Sequence, residues 1–307
     1  MPYLQASIVY TLMPILSIDN LSKNYGRVQA LKSVSFSVPK GSVFGILGPN
    51  GSGKTTMLGI IMDILKPNGG SYTLFDQVPD ENMRRKIGTF LETPNFYHYL
   101  SAQKNLEIAA ALKERGADDI PRVLELVNLT QRKDSRFSTY SLGMKQRLAI
   151  ASCLLGDPEV LILDEPTNGL DPVGIAEIRQ LIKQLHQQGK TIIMASHLLD
   201  EVEKVCTHVA ILKKGLLVAN GDVNEILASE DIVEIGAADM PHLKTVINAM
   251  NGYNSLKEQD KMLQLFYPVG KTDVEAINKF CFNNGIVLTH LQLKKKSLEA
   301  KFFELTN

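Results

Sequence analysis

The chain has 307 residues, enough for one large and one small domain, each with a core of its own. Its 33 basic and 33 acidic residues cancel, which argues against the strong cationic field of a nucleic-acid binder, and Lys294-Lys295-Lys296 reads as a solvated face. No run approaches the roughly 18 apolar residues of a membrane span; Cys153, Cys206 and Cys281 lack C-x-x-C spacing, so a reducing compartment is expected, with neither a disulfide framework nor a thiolate metal site.

Met1 to Leu12 lacks the charged n-region and cleavage site of a signal peptide. Met13-Pro14-Ile15-Leu16 looks like the natural opening of the fold, so the first residues read either as a start-site artefact or as a disordered extension. Ser42 to Leu47 is a short buried strand running into Gly48-Pro49-Asn50-Gly51-Ser52-Gly53-Lys54-Thr55, which fits G-x-x-x-x-G-K-[ST]. Beyond it Met57, Leu58, Ile61, Met62 and Leu65 recur at helical spacing. Strand, glycine turn and helix make an anion site from backbone N–H groups and the positive end of the helix dipole. Gly48 through Thr56 (Pro49, Asn50, Gly51, Ser52, Gly53, Lys54 and Thr55 between them) are therefore expected to bind a nucleoside triphosphate, Lys54 at the β- and γ-phosphates and Thr55 on Mg²⁺.

Residues from 92 to about 155 read as mainly helical: Asn105 to Leu112 is rich in helix formers, and Pro121 stands at a first helical position. Tyr140-Ser141-Leu142-Gly143-Met144 opens a helix carrying Leu148, Ala151, Cys153 and Leu155, whose N-terminus can also face an anion. Val160 to Leu163 is an apolar run of the kind found in central parallel strands. It delivers Asp164, expected on Mg²⁺, and Glu165, placed to take a proton from an attacking water. Thr191 to Ala195 is a third apolar strand, ending at Ser196-His197. His98, His186, His208, His242 and His290 have no such context and read as surface or satisfied residues. Gly221-Asp222 opens a short helix that closes the first domain.

From about residue 230 the pattern changes. Strands at Asp231–Ile235, Asn254–Glu258, Met262–Phe266 and Gly285–Leu288 alternate with helical stripes at Leu243–Met250 and Val274–Cys281. The order is β-α-β-β-α-β, the ferredoxin-like arrangement.

Taken together, the phosphate loop, Ser141–Arg147, Asp164-Glu165, Pro166 to Pro172 and His197 resemble the ATP-binding subunit of an ABC transporter, over residues 15 to about 228. The resemblance implies an α/β P-loop NTPase fold, the ABC ATPase domain, over 15–229 with a helical subdomain near 92–155, an extension before it, and a small α+β accessory domain over 230–307. It implies Tyr25 stacked on adenine, His197 on the γ-phosphate, Ser141, Gly143 and Asp171 reaching the nucleotide of the opposite subunit, and Glu92 in the metal shell. It further implies a head-to-tail homodimer on ATP binding, a polytopic membrane permease as partner, no nucleic acid, and a place on the cytoplasmic face of the cell membrane with no span of its own.

Two motifs depart from the family pattern. Leu-Ser-Gly-Gly-Gln is here Tyr140-Ser141-Leu142-Gly143-Met144, and the usual loop glutamine is Glu92. Both are similar to the bacitracin and lantibiotic-type export and immunity subfamily. Two other readings compete. A soluble ABC-type ATPase of ribosomes or DNA would carry two cassettes or a long coiled coil, and neither is present. A small-molecule kinase would leave Ser141–Arg147, Asp171 and His197 without roles.

Overall fold

The computed structural model describes residues 14–91, 95–227, 231–259, 262–268, 270–295, 298 and 301–302. Glu92, the N-terminal extension and most of the last eleven residues lie outside them. The chain divides into two compact units, one up to Asn220 and one from Gly221.

In chain order the first unit runs β1 (Pro14–Tyr25), β2 (Val28–Pro39), β3 (Val43–Leu47), α1 (Lys54–Ile61), β4 (Gly69–Leu74), α2 (Glu81–Arg85) and β5 (Ile87–Phe90). It continues through α3 (Ala102–Lys113), α4 (Ile120–Leu126), α5 (Leu142–Leu154), β6 (Val160–Asp164), α6 (Pro172–Gln187), β7 (Thr191–Ser196), α7 (Leu199–Val205), β8 (His208–Lys213) and β9 (Leu216–Asp222). A small antiparallel sheet has the order β2-β1-β4. The main sheet has the order β5-β6-β7-β3-β8-β9, and its first five strands are parallel neighbours.

Every residue of β3, β6 and β7 is buried. That explains why these strands read as unbroken apolar runs: a parallel sheet covered on both faces leaves no position facing water, and here β1 and β2 join α1 in the core on one face, Phe36 stacking on Phe44 at 5.3 Å. Each fully buried Leu, Ile or Val contributes roughly 1.5–3 kcal/mol. Because β6, β7 and β3 are adjacent, the loops after Asp164, Ser196 and Leu47 emerge side by side at one sheet edge. The register fixes this closely, with Leu47 opposite Ser196 and Asp164 opposite Ala195. Open α/β sheets bind ligands at that carboxyl edge.

Side-chain caps start the helices that matter most. Ser101 accepts from Lys104 N at 3.2 Å, Ser141 from Met144 N at 3.3 Å and Asp171 from Gly174 N at 2.9 Å. Pro121 falls one position later than expected, because α4 begins at Ile120. The stripe after the phosphate loop also ends sooner than its spacing suggests. Helix α1 stops at Ile61, and Asp63 turns the chain in a left-handed conformation, φ 63°. Leu65 still packs on the core, but as the next turn.

The second unit comprises α8 (Val223–Leu227), β10 (Asp231–Ala237), α9 (Met240–Asn248), β11 (Ser255–Gln259), β12 (Met262–Tyr267), α10 (Val274–Asn283) and β13 (Leu288–Lys295). Its sheet order is β11-β12-β10-β13, with every pair antiparallel. Val233, Ile235, Leu263 and Leu265 form one core with Leu243 and Ile247 of α9 and Ile277 and Cys281 of α10. The last strand lies later than the apolar run at Gly285–Leu288 suggests. Gly285 is in a turn at φ 78°, Val287 is exposed, and pairing with β10 runs from Leu288 to Lys295. Glu234 is nearly buried and receives hydrogen bonds from Lys294 Nζ (2.8 Å) and Gln264 Nε2 (3.2 Å), with His290 Nε2 at 3.1 Å. The Lys294 bond holds its carboxyl below the usual range.

The three cysteines are free and buried, and burial pushes the Cys153 thiol up to about 12. Such thiols are inert structural residues.

Candidate functional site

The phosphate loop links a fully buried strand to the first turn of α1, and two glycines make the close passage possible. Gly48 has φ 155°, and a Cβ there would stand 2.3 Å from the Leu212 carbonyl oxygen; Gly53 has φ 108°, and a Cβ there would stand 2.6 Å from that of Ala30. Neither position tolerates a side chain without displacing backbone. The loop thus turns tightly, its Ser52 N–H bonded to the Pro49 carbonyl at 3.1 Å, in the kind of backbone concavity that binds anions.

Lys54 opens the helix and is only 6% exposed. Its ammonium donates to the Gly48 carbonyl at 2.8 Å and the Pro49 carbonyl at 3.4 Å, and lies 3.4 Å from Glu165 Oε1. Thr55 Oγ1 donates to Asp164 Oδ2 at 3.0 Å, so the hydroxyl and carboxylate expected to share a cation already converge across the β3–β6 edge. Hard oxygen donors of this kind suit Mg²⁺, which takes one or two protein oxygens and fills its shell with water and substrate phosphate. Among the described residues, no group of three or more His, Cys, Asp or Glu side chains could cage a metal unaided.

Glu165 is a non-glycine residue at φ 48°, with its N–H bonded to the Ala195 carbonyl at 3.0 Å. A conformation of this kind costs roughly 1–3 kcal/mol and persists where surrounding structure imposes it. The strained turn leaves the carboxylate between Lys54 and His197, whose Nδ1 lies 2.8 Å from Glu165 Oε2. Behind them Arg179 of α6 binds Glu201 of α7 through both carboxylate oxygens, at 2.8–3.0 Å, tying the helix after Asp171 to the helix after His197.

A cleft of about 740 Å³ runs from this cluster to Tyr25. Asn50 through Thr56 and Glu165 line one end. Tyr25, at the end of β1, is half-exposed, and Lys23 Nζ stands 5.4 Å from its ring centroid. The cleft also holds Arg27, Val28, Gln29, Ala30, Lys32 and Lys214, which belong to none of the motifs above. Arg27 to Lys32 had a usable signal, since they directly follow Tyr25 on the paired strand. Lys214 had none: the β8–β9 turn reaches the cleft only because Gly215 bonds to Lys32 N (2.8 Å) and Ser52 O (3.1 Å) through its backbone.

Within one chain the structure therefore gathers Tyr25, Gly48 to Thr56, Asp164, Glu165 and His197. Ser141, Gly143 and Asp171 do not line this cleft. They form a second group, Ser141 and Asp171 exposed at the N-termini of α5 and α6.

A parallel sheet with a glycine phosphate loop after one central strand and an Asp-Glu pair after another defines a P-loop nucleotide hydrolase. The ABC transporter profile matches residues 31–168. The chain is 34% identical over 297 residues to the bacitracin transport ATP-binding protein BcrA of Enterococcus faecalis, covering 95% of this chain and 96% of that one. It is 36% identical over 221 residues to the lantibiotic transport ATP-binding protein SrtF of Streptococcus pyogenes, covering 72% and 95%. Among solved structures, cbiO1 of Clostridium perfringens, part of the ABC transporter complex cbiONQ, matches with a TM-score of 0.64 at 32% identity, covering 70% of this chain and 91% of that one. The chain belongs to the ABC transporter family: it is an ATP-binding, ATP-hydrolysing subunit, which implies a separate membrane permease as its partner. Among the described residues no helix is long and apolar enough to cross a membrane.

Proposed function

We propose that this subunit drives export of an antimicrobial peptide, working as a head-to-tail homodimer on the cytoplasmic face of a polytopic permease. The observation that supports the catalytic part most directly is the Glu165 carboxylate, held between Lys54 at 3.4 Å and His197 at 2.8 Å at the end of the cleft. Glu165 takes the proton of the attacking water. His197 orients that carboxylate through Nδ1 and keeps its other ring nitrogen for a phosphate oxygen. Lys54 exchanges loop carbonyls for the β- and γ-phosphates, and the loop amides bind the remaining charge. Thr55 and Asp164 would hold Mg²⁺, which would neutralise charge developing on the phosphates; Glu92 is a further candidate for its shell. Tyr25 stacks on the adenine.

The remaining candidates explain why work requires two copies. Ser141, Gly143 and Asp171 do not line their own chain's cleft, and two of them are solvent-exposed at helix N-termini, so a second copy's nucleotide is their fitting ligand. ATP that binds the closed pair better than the open one supplies the energy of the conformational change.

The peptide substrate is supported by near full-length similarity to a bacitracin transport subunit. The test is to express the chain with its neighbouring membrane subunit in a susceptible host and measure the inhibitory concentrations of bacitracin and of a lantibiotic. Protection that disappears with Glu165→Gln supports the proposal; equal susceptibility with and without the pair for every peptide rejects this substrate class.

A further inference from the structure

We propose that Leu142 is a positioning residue that locks the Ser141–Gly143 segment to the Asn168–Asp171 segment of its own protomer, so that both meet the partner's nucleotide as one body. The inference rests on the head-to-tail reading above. Leu142 stands where the family pattern has glycine, and it is large, apolar and 45% exposed. Its surroundings explain the choice. A Cβ built on Gly169, whose φ is 74°, would lie 3.1 Å from Leu142 Cδ2, and one built on Gly143 would lie 3.9 Å from Leu170 Cδ2. Each segment thus sets a leucine over the other's glycine, an interlocked contact that a second glycine at 142 could not make.

Both ends of this contact lead to a helix cap. Ser141, adjoining Leu142, accepts from Met144 N to start α5, and Asp171, adjoining Leu170, accepts from Gly174 N to start α6. On the other side of Ser141, Tyr140 is buried, and its hydroxyl donates to the Arg132 carbonyl at 2.7 Å while its ring lies 6.1 Å from that of Phe137. Ser141 is therefore held from both flanks, by Tyr140 to the helical layer and by Leu142 to the segment that presents Asp171. The lost glycine of the motif is exchanged for a mechanical link between two nucleotide-facing groups.

The test is a double-mutant cycle on ATP-dependent dimerisation of the full chain in the Glu165→Gln background, followed by analytical ultracentrifugation. Leu142→Ala and Leu170→Ala are each expected to weaken the dimer, with the double variant at least about threefold less impaired than the product of the two effects. Nucleotide affinity of the dilute monomer stays within about twofold, and Leu142→Met, which keeps the contact, retains the dimer. Effects that simply multiply, or a Leu142→Ala chain that is folded and dimerises normally, overturn the inference alone. A Glu165→Gln parent that stays monomeric with ATP overturns the head-to-tail reading and this inference with it.

Discussion

Replacing Glu165 with glutamine removes one charge and almost no volume. The amide can still meet His197 Nδ1, now at 2.8 Å from the carboxylate, and it can adopt φ 48° as glutamate does, so the turn after β6 should keep its shape. Two things change. The side chain can no longer accept the proton of an attacking water, a contribution worth about 10²- to 10⁴-fold in rate, or roughly 2.7–5.5 kcal/mol of barrier. Lys54 also loses its carboxylate neighbour at 3.4 Å, which leaves the buried ammonium freer to engage phosphate. Turnover at saturating ATP, followed by phosphate release, should fall by that factor while ATP affinity is kept or rises, and an ATP-stabilised dimer should accumulate on size exclusion. A glutamine variant that hydrolyses ATP at the unaltered rate would refute Glu165 as the base. A variant that loses ATP binding as fully as a Lys54 substitution would show instead that the carboxylate supports the loop.

Other perturbations separate the remaining parts of the site. Lys54→Ala should abolish ATPase activity and weaken nucleotide binding, measured by phosphate release and equilibrium titration, because its helix start has no substitute charge. Tyr25→Ala should raise KM for ATP by about 2- to 10-fold with kcat little changed, and Tyr25→Phe should behave like the parent, as expected of stacking. In the second unit, Glu234 has a folded pKa below its unfolded value of about 4.3, so its contribution to stability is present above that pH and is lost as pH falls through the lower folded value. Thermal unfolding measured across the acid range should show a smaller loss of stability for Glu234→Gln than for the parent, since the variant has already lost the titrating group.

Local motifs were the most legible part of this chain. The phosphate loop and Asp164-Glu165 announce themselves because each needs particular residue types within a few positions, on strands whose burial on both faces leaves an unmistakable apolar run; His197, a lone histidine after a strand, is a candidate only through its place in the family's order of motifs. Where packing or distant pairing decides, the sequence was less informative. The helical stripe through Leu65 overran the true end of α1, because a residue beyond a turn can still face the core. The strand expected at Gly285–Leu288 proved to begin at Leu288: the apolar Ile286 and Val287 drew attention, while the alternation of Leu291 and Leu293 with polar residues marked the paired segment. Lys214 enters the cleft through backbone bonds from Gly215 to Lys32 and Ser52, segments far apart in sequence, which no local pattern encodes. The Leu142–Gly169 contact was equally hidden, although both residues were in view as parts of separate motifs.

The dimeric site can be tested most directly by mixing two disabled chains. A Ser141→Arg chain keeps its own Lys54, a Lys54→Ala chain keeps its own Ser141, and each is expected to be inactive alone. In an equimolar mixture half of the randomly formed head-to-tail pairs contain one intact composite site out of two, so about a quarter of the parental turnover per chain should return if the sites act independently. Recovery of that order would establish that Lys54 of one protomer works with Ser141 of the other. No recovery from two folded chains that demonstrably form mixed dimers would contradict the account.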